Sequence, residues 1–535
     1  MDPFWDEFET GEIHFRDKWQ FELKSEFSPI PGQKQSEYTQ EFFVFIPTAL
    51  QINAQTYTKN DFFRDQTNLI RLQTPIFTFE ELLNPFSLRS PLVKLKELQT
   101  TIQQKDSVVA MEQELKLFAN ICNTSVRNEV YQLVQALDKA PTLKEILNCK
   151  QCINELLLNI EKANVEFSRL KETILKHPEG LALHHIFGYI QDAISFSLNS
   201  SLTVLLEALR LKADPILTEC DNNVSDLLLK EKKYRENKLK EPSQLEKDAI
   251  RNEAILHQSG LLNKFILDAL QLKTQRQAVD EKYRSIIGSF AAALAMAFYL
   301  TLFIWQGAVF VINSLPFILF SILIYVVKDR LKEELKSLSY KHVFKWFPDY
   351  TTEISLPNQN DVIGIVNESF SFVNINHVPM DISHLRNQEF HSYLEMIKRQ
   401  EQVIHYKRKI IIYGDTQREK SLKGLNILFR YDIHNFLIKA SNPYEPYTVL
   451  DSETLELSHI SLPKVYHINI ILKNTYRQPD LTEKVEWKKF RIVADKDGIK
   501  RIQNVTATNG NGTVKGNGNG IMIGLQDKTS DLQIV

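Results

Sequence analysis

The sequence predicts a membrane-anchored multidomain α+β protein. Three observations carry that prediction. An uncharged stretch sits in the middle of the chain, helical periodicity precedes it, and strand alternation follows it. A chain of 535 residues has room for about two to four domains. Its 43% hydrophobic and 24% charged content fits folded domains rather than disorder. The formal net charge of -2 supplies no overall basic field, so no nucleic-acid partner is expected. Four cysteines are too few for a disulfide scaffold and point to a reducing compartment. The opening "MDPFWDEFETGE" lacks the basic and apolar regions of a secretory signal.

Residues 1–89 read as a strand-and-loop segment. In "IHFRDKWQFEL" Ile13, Phe15, Trp19, Phe21 and Leu23 fall on one face. "EFFVFIP", ended by Pro47, is expected to pair with it in one small sheet. Residues 90–284 read as a cytoplasmic helical bundle, with helices near 91–104, 106–139, 142–176, 180–212, 215–238 and 243–284. Their starts are marked by Ser90-Pro91, Asp214-Pro215 and the capping boxes Thr142/Glu145 and Ser243/Glu246. His177-Pro178-Glu179-Gly180 separates two of them. The last is expected to run into the membrane segment, with Gly260 its weak point.

Ser285–Val327 contains no Asp, Glu, Lys, Arg or His. As one helix it would reach about 65 Å, twice the hydrocarbon thickness. Two spans of about 20 residues, 286–305 and 308–327, fit better and place the turn at Gln306-Gly307. A turn at Asn313–Pro316 leaves too short a second span by that count. Pro316 then predicts a kink inside the second helix. Ser285, Ser289, Ala293 and Ala297 form a small-residue ridge suited to helix packing, with Gly288 and Ala292 on an adjacent one. Lys273, Arg276, Lys282 and Arg284 precede the stretch. Lys328, Arg330, Lys332, Lys336, Lys341 and Lys345 follow it. Positive residues stay inside, so both arms and both termini are expected in the cytoplasm of a bacterial cell, as a multi-pass inner-membrane protein.

A juxtamembrane helix at 328–348 carries Leu331, Leu335 and Leu338 on one stripe and ends near Phe344, Trp346 and Phe347. Residues 349–506 read as a cytoplasmic β-rich α+β domain. There Leu425, Ile427, Phe429 and Tyr431 share one face, and Tyr466, Ile468, Ile470 and Leu472 another. A hairpin is expected to turn at Asp495–Gly498, and helical pieces near 383–400 and 433–440. Residues 507–535 read as a flexible Gly/Asn-rich tail.

No reaction motif emerges. Cys149 and Cys152 have CxxC spacing but lie inside a helix, without the second pair that structural zinc needs. His184 and His185, with Asp192 two turns on, point about 100° apart and do not face one ion. Gly510, Gly512, Gly516, Gly518 and Gly520 lack the strand-and-helix context of a phosphate loop. Asp495 and Asp497 lack the later ligands of a calcium loop. Lys407-Arg408-Lys409 reads as a solvated strand edge, with anionic lipid headgroups the alternative. No catalytic, cofactor-binding or metal-ligating residue is singled out, and no cofactor is called for.

"FFRDQTNLIRLQTP" at 62–75, "VVKDRLKEEL" at 326–335 and "KVYHINIILKN" at 464–474 resemble an uncharacterised family of bacterial membrane proteins with a central transmembrane hairpin. The resemblance implies the same topology and no catalytic residue. The reading is a non-catalytic membrane-anchored cytoplasmic scaffold, tether or sensor. Its expected partners are the lipid bilayer and either a protein partner or a second copy met through the helical arm. The alternatives are a membrane-tethered enzyme with an unrecognised site in the β-rich domain, and a pore or transport component. Ionisable residues are missing from the spans, which argues against the pore.

Overall fold

A computed structural model describes residues 13–30, 33–75, 77–87, 89–100, 102–139, 142–212, 214–239, 249–311, 314–342, 347–356, 362–387, 400–413, 424–450, 457–477 and 482–505. The chain begins with β1 (Ile13–Phe15), β2 (Gln20–Phe27), β3 (Gln35–Pro47), α1 (Lys59–Asp65) and β4 (Gln66–Leu72). Helices α2 (Phe79–Leu83), α3 (Pro91–Gln99), α4 (Lys105–Lys139), α5 (Leu143–Leu175), α6 (His184–Lys212), α7 (Thr218–Leu239) and α8 (Ala249–Leu267) follow. Next come β5 (Lys273–Ala278), α9 (Val279–Val309), α10 (Leu315–His342), β6 (Tyr350–Ser355), β7 (Val362–Val373), α11 (Met380–Asn387) and β8 (Glu401–Tyr413). The last elements are β9 (Leu425–Asp432), α12 (His434–Leu437), β10 (Tyr444–Leu450), β11 (Leu457–Pro463), β12 (Tyr466–Arg477), β13 (Glu483–Asp495) and β14 (Gly498–Val505). Two compact units result, one centred on Arg71–Gln271 and the other built from most of the remainder.

The first unit is the expected helical bundle. Apolar residues recur at helical spacing and close on one core, in which Phe118 stacks on Phe167 at 5.5 Å. The capping box Thr142/Glu145 forms, and Asp214 accepts a hydrogen bond from the Ile216 amide. Ser90 precedes Pro91 at the helix start, but its hydroxyl bonds the Leu82 carbonyl rather than capping. Gly180 marks the expected break, because a Cβ there would lie 2.1 Å from the Ile174 carbonyl oxygen. The long helix expected at 243–284 does not form. α8 passes through Gly260 without a break and ends at Leu267. Between Leu272 and Val279 the sequence offers no apolar stripe to bury, and "KTQRQA" becomes β5 instead.

The second unit is built on two main sheets, with β10 and β11 paired as a separate two-stranded ribbon. An eight-stranded antiparallel sheet has the order β14-β13-β12-β3-β8-β7-β6-β5, and a four-stranded one has the order β1-β2-β9-β4. The expected pairing of "IHFRDKWQFEL" with "EFFVFIP" is thereby corrected. β1 pairs with β2, while β3 lies between β12 and β8 in the larger sheet. The 1–89 segment is therefore no separate element of the fold. The reason is in β3 itself. Phe42 and Ile46 belong to the core between the sheets, and Phe43 and Phe45 to a smaller core with Val378 and Ile382 of the α11 side. A strand apolar on both faces needs cover on both, which an isolated small sheet does not give. The predicted faces of β1–β2 and β12 meet that central core, as do Phe429 and Tyr431 of the β9 face.

The turn between β13 and β14 forms as expected, with Gly498 at φ 130°. A Cβ on Gly498 would sit 2.2 Å from the Lys18 carbonyl oxygen. Gly498→Ala is expected to destabilise the protein by about 2 kcal/mol or more, read as the shift in a urea unfolding midpoint. An unchanged midpoint would contradict this packing.

Candidate functional site

α9 and α10 form a helix pair inserted between β5 and β6, which are themselves adjacent antiparallel strands. The turn is not at Gln306-Gly307. α9 continues to Val309, and α10 starts at Leu315. Chain chemistry outweighs equal span length here. Pro316 lies in the first turn of α10, where a missing N–H costs nothing, so no mid-helix kink arises. The Ser314 carbonyl accepts from the Ile318 amide, opening the helix. Gln306 instead points inward from α9. Its Nε2 donates to the Phe317 carbonyl at 2.5 Å and to Ser321 Oγ at 2.8 Å.

The expected ridge is also rotated. Ala291 and Ala295 are the buried alanines of α9, while Ser289, Ala293 and Ala297 are exposed. Gly288 and Ala292, on the adjacent ridge, are half-buried. Elsewhere the pair presents apolar side chains outward, among them Phe290, Ile304, Leu315, Leu319 and Ile322. One helix segment, Gly288–Val309, is long and apolar enough to cross a membrane, and 11% of its apolar window is buried. A core helix of a water-soluble protein would be mostly covered. Ser285, Leu338, Lys341, Phe344, Lys345 and Trp346, with Ser243, Glu246 and the glycines of 510–520, lie outside the described residues or side chains.

The root of the pair is stitched to the second unit. The Val279 amide donates to the Asp349 carbonyl at 3.0 Å, so the two ends of the insertion bond each other. Asp349 also accepts from the Phe370 amide at 2.7 Å and from Lys59 Nζ at 2.9 Å. Arg276, just before α9, lies over the rings of Tyr350 (4.2 Å) and Phe63 (5.0 Å). Its guanidinium reaches Glu368 Oε2 at 3.2 Å.

Glu368 is 2% exposed. Its other oxygen accepts from Tyr406 Oη at 2.6 Å, Gln66 Nε2 at 2.7 Å and Asn68 Nδ2 at 2.8 Å. Asn68 Oδ1 in turn accepts from Arg408 at 3.3 Å. Arg408 is fully buried and also donates to Gln40 Oε1 at 2.5 Å and Ser25 Oγ at 3.2 Å, with the Phe42 and Phe429 rings beside it. Burial lowers the Arg408 pKa, and the charge of Glu368 opposes that. Burial also holds the Tyr406 phenol well above its ordinary value, reinforced by Glu368. The network thus alternates cation, amide, carboxylate and cation from the sheet interior to the helix pair.

The basic run divides along the strand. Arg408 faces inward, whereas Lys409 pairs with Glu37 at 2.8 Å and Lys407 lies 4.0 Å from Glu41. Both lysines therefore already have acidic neighbours. Glu41 also faces His405 at 3.2 Å and Lys473 at 3.6 Å. The hydrogen bond from His405 leads in holding the Glu41 carboxyl below its usual value, against an opposing effect of burial. The charges of His405, Lys407 and Lys473 add to the lowering.

The other sequence candidates do not come together. Cys149 is buried in α5, Cys152 is half-buried, and both are free thiols. Burial pushes the Cys149 thiol up, away from reactivity. His184 and His185 are exposed, while Asp192 turns into the bundle and accepts from Tyr234 and Lys238, both at 2.6 Å. Among the described residues no group of three His, Cys, Asp or Glu side chains could hold a metal ion. Asp495 accepts from the Asp497 amide at 2.8 Å and pairs with Lys500 at 3.0 Å, as a turn residue. Between the two sheets lies a void of about 20 Å³, lined by Phe21, Phe42, Phe62, Tyr406, Phe429 and Tyr431 among others. That is room for about one water, not for a substrate.

Sequence reading missed Gln66, Asn68, Arg276, Glu368 and Tyr406 as a group. The available signal was the alternation in "VIHYKRKIII", which puts Arg408 on the same face as Ile404, Tyr406 and Ile410. Comparison of the chain with protein-family models, curated proteins and solved structures finds no match.

Glu368→Gln and Arg408→Ala are each expected to cost about 3–5 kcal/mol, the first because buried Arg408 loses the nearby carboxylate charge, the second because the acceptors on Gln40, Asn68 and Ser25 lose their buried donor and a cavity opens. Thermal unfolding of the purified protein reads this, and effects below about 1 kcal/mol would remove the network from its supporting role. The depressed Glu41 carboxyl contributes stability above its unfolded value near pH 4, and that contribution is lost as the pH falls through the lower folded value. Glu41→Gln should therefore flatten the loss of stability below about pH 4, measured as melting temperature against pH.

Proposed function

We propose that this protein is a non-catalytic membrane-anchored scaffold or tether, with α9–α10 as its anchor and both arms on one side of the membrane. The observation that carries this reading is the helix pair itself. It exposes a continuous apolar surface, with Ile304 72% and Leu315 73% exposed, and it is rooted in a rigid sheet edge. Water-soluble proteins rarely leave so large an apolar surface bare. The basic residues on either side of the pair support a cytoplasmic placement. The helical unit supplies the arm for a protein partner or a second copy. Leu143, Leu147, Leu158 and Val165 stand exposed along α5, opposite the face that fills the bundle core.

The wild-type protein should remain in the membrane pellet after alkaline carbonate extraction. Ile304→Lys combined with Ile322→Glu should release it while leaving the unfolding temperature of both arms unchanged. Wild-type protein found in the soluble fraction would overturn the anchor reading.

A further inference from the structure

We infer that the α9–α10 pair enters one leaflet obliquely and turns back near the bilayer midplane, rather than crossing the membrane. The inference rests on the anchor reading above and adds its depth. The two helices are unequal. The apolar part of α9, Gly288–Val309, is about 33 Å long at the helical rise. The apolar part of α10 runs only from Leu315 to Val327, about 20 Å. Beyond it stand Lys328, Asp329, Arg330, Lys332, Glu333 and Glu334.

Side-chain contacts fix which parts lie at the same level. Near the turn, Phe303 faces Phe317 at 6.0 Å and Trp305 faces Phe320 at 6.3 Å. Farther back, Lys328 Nζ lies 5.8 Å from the Tyr299 ring and 4.0 Å from the Tyr325 ring. Lys328 is thus level with Tyr299, in the middle of the apolar stretch of α9. The charged run of α10 continues back alongside the α9 segment before Tyr299.

A perpendicular crossing by α9 would carry Asp329, Arg330, Glu333 and Glu334 into hydrocarbon. All four are exposed on the pair. Each would cost about 2.5–3.5 kcal/mol at mid-depth, and the short acidic side chains reach water poorly from there. The depth free of charge is the 20 Å between Lys328 and the turn. Half of a bilayer, headgroups included, is about 20–22 Å. An upright pair seated with Lys328 among the headgroups places its turn at the midplane, and when the pair leans, α10 rides about 7 Å higher than α9 at a packing distance of about 9 Å, which keeps Lys328 at that level. The apolar half of α9 before Tyr299 carries Phe290, Leu294 and Phe298 outward. It stays in contact with lipid if the pair inclines, with α9 on the membrane side and the charged half of α10 on the water side. A 33 Å helix descending 20 Å leans about 50° from the normal, well beyond the roughly 20° of ordinary spans. The partner surface is one leaflet, and nothing need protrude on the far side.

The test uses the full-length protein in liposomes with its arms outside. Val311→Cys marks the turn and Glu333→Cys marks the charged run. A membrane-impermeant maleimide is either added outside or sealed inside, and modification above the parent background is measured. Glu333→Cys should react from outside. Val311→Cys should react less than a tenth as much from either side, and fully once detergent is added. Reaction of Val311→Cys with the sealed-in reagent would show a crossing and overturn the inference, leaving the anchor intact. Reaction of Val311→Cys from outside at the level of Glu333→Cys would overturn both.

Discussion

Glu368 lies where two demands on the second unit meet. The sheets must close on an apolar core, and the edge that carries the helix pair must not fray. A buried carboxylate is costly unless every lone pair is used. Tyr406, Gln66 and Asn68 fill one oxygen, and Arg276 takes the other. The three neutral partners come from β8 and β4, one in each sheet, so the cost of the charge is offset only when both sheets are in place. Arg408 repeats the logic through Asn68, Gln40 and Ser25. Such a network specifies one arrangement of the layers, because a displaced strand would orphan a charge rather than merely open a gap.

The helical unit follows different physics. Its core is apolar throughout the long helices, and its buried charges are settled locally. Lys116 sits between Glu112 and Asp268, both at 2.8 Å. Arg235 donates to Ser195 and Asn199. Helical periodicity repeats over many residues, so the helices from α4 to α7 were legible from sequence to within a few positions, whereas the helix expected at 243–284 was not. Capping residues at Thr142 and Asp214 sharpened their starts.

Legibility failed where pairing between distant residues decides. "KTQRQA" has no intrinsic preference for a strand, and β5 exists because β6 accepts its ladder. "EFFVFIP" reads plainly as a strand, but its seat between β8 and β12 depends on residues more than 350 positions away. Membership of the polar network was equally hidden, since Gln66, Asn68 and Glu368 each look like ordinary surface residues in one dimension. The turn of the helix pair was misjudged for another reason. Counting residues assumed two equal crossings, whereas Asn313-Ser314-Leu315-Pro316 carried its own helix-start chemistry.

The insertion of α9–α10 leaves the ladder around it intact. Ala278 and Tyr350 are paired neighbours in adjacent strands, and Val279 bonds Asp349 directly. In the grammar of sheets this is a β-hairpin whose loop happens to be two long helices. A few turn-forming residues would span the same gap. The helix pair and the sheet are therefore modular in this chain. The pair hangs from the sheet as an ornament hangs from a hook, and the hook is complete without it.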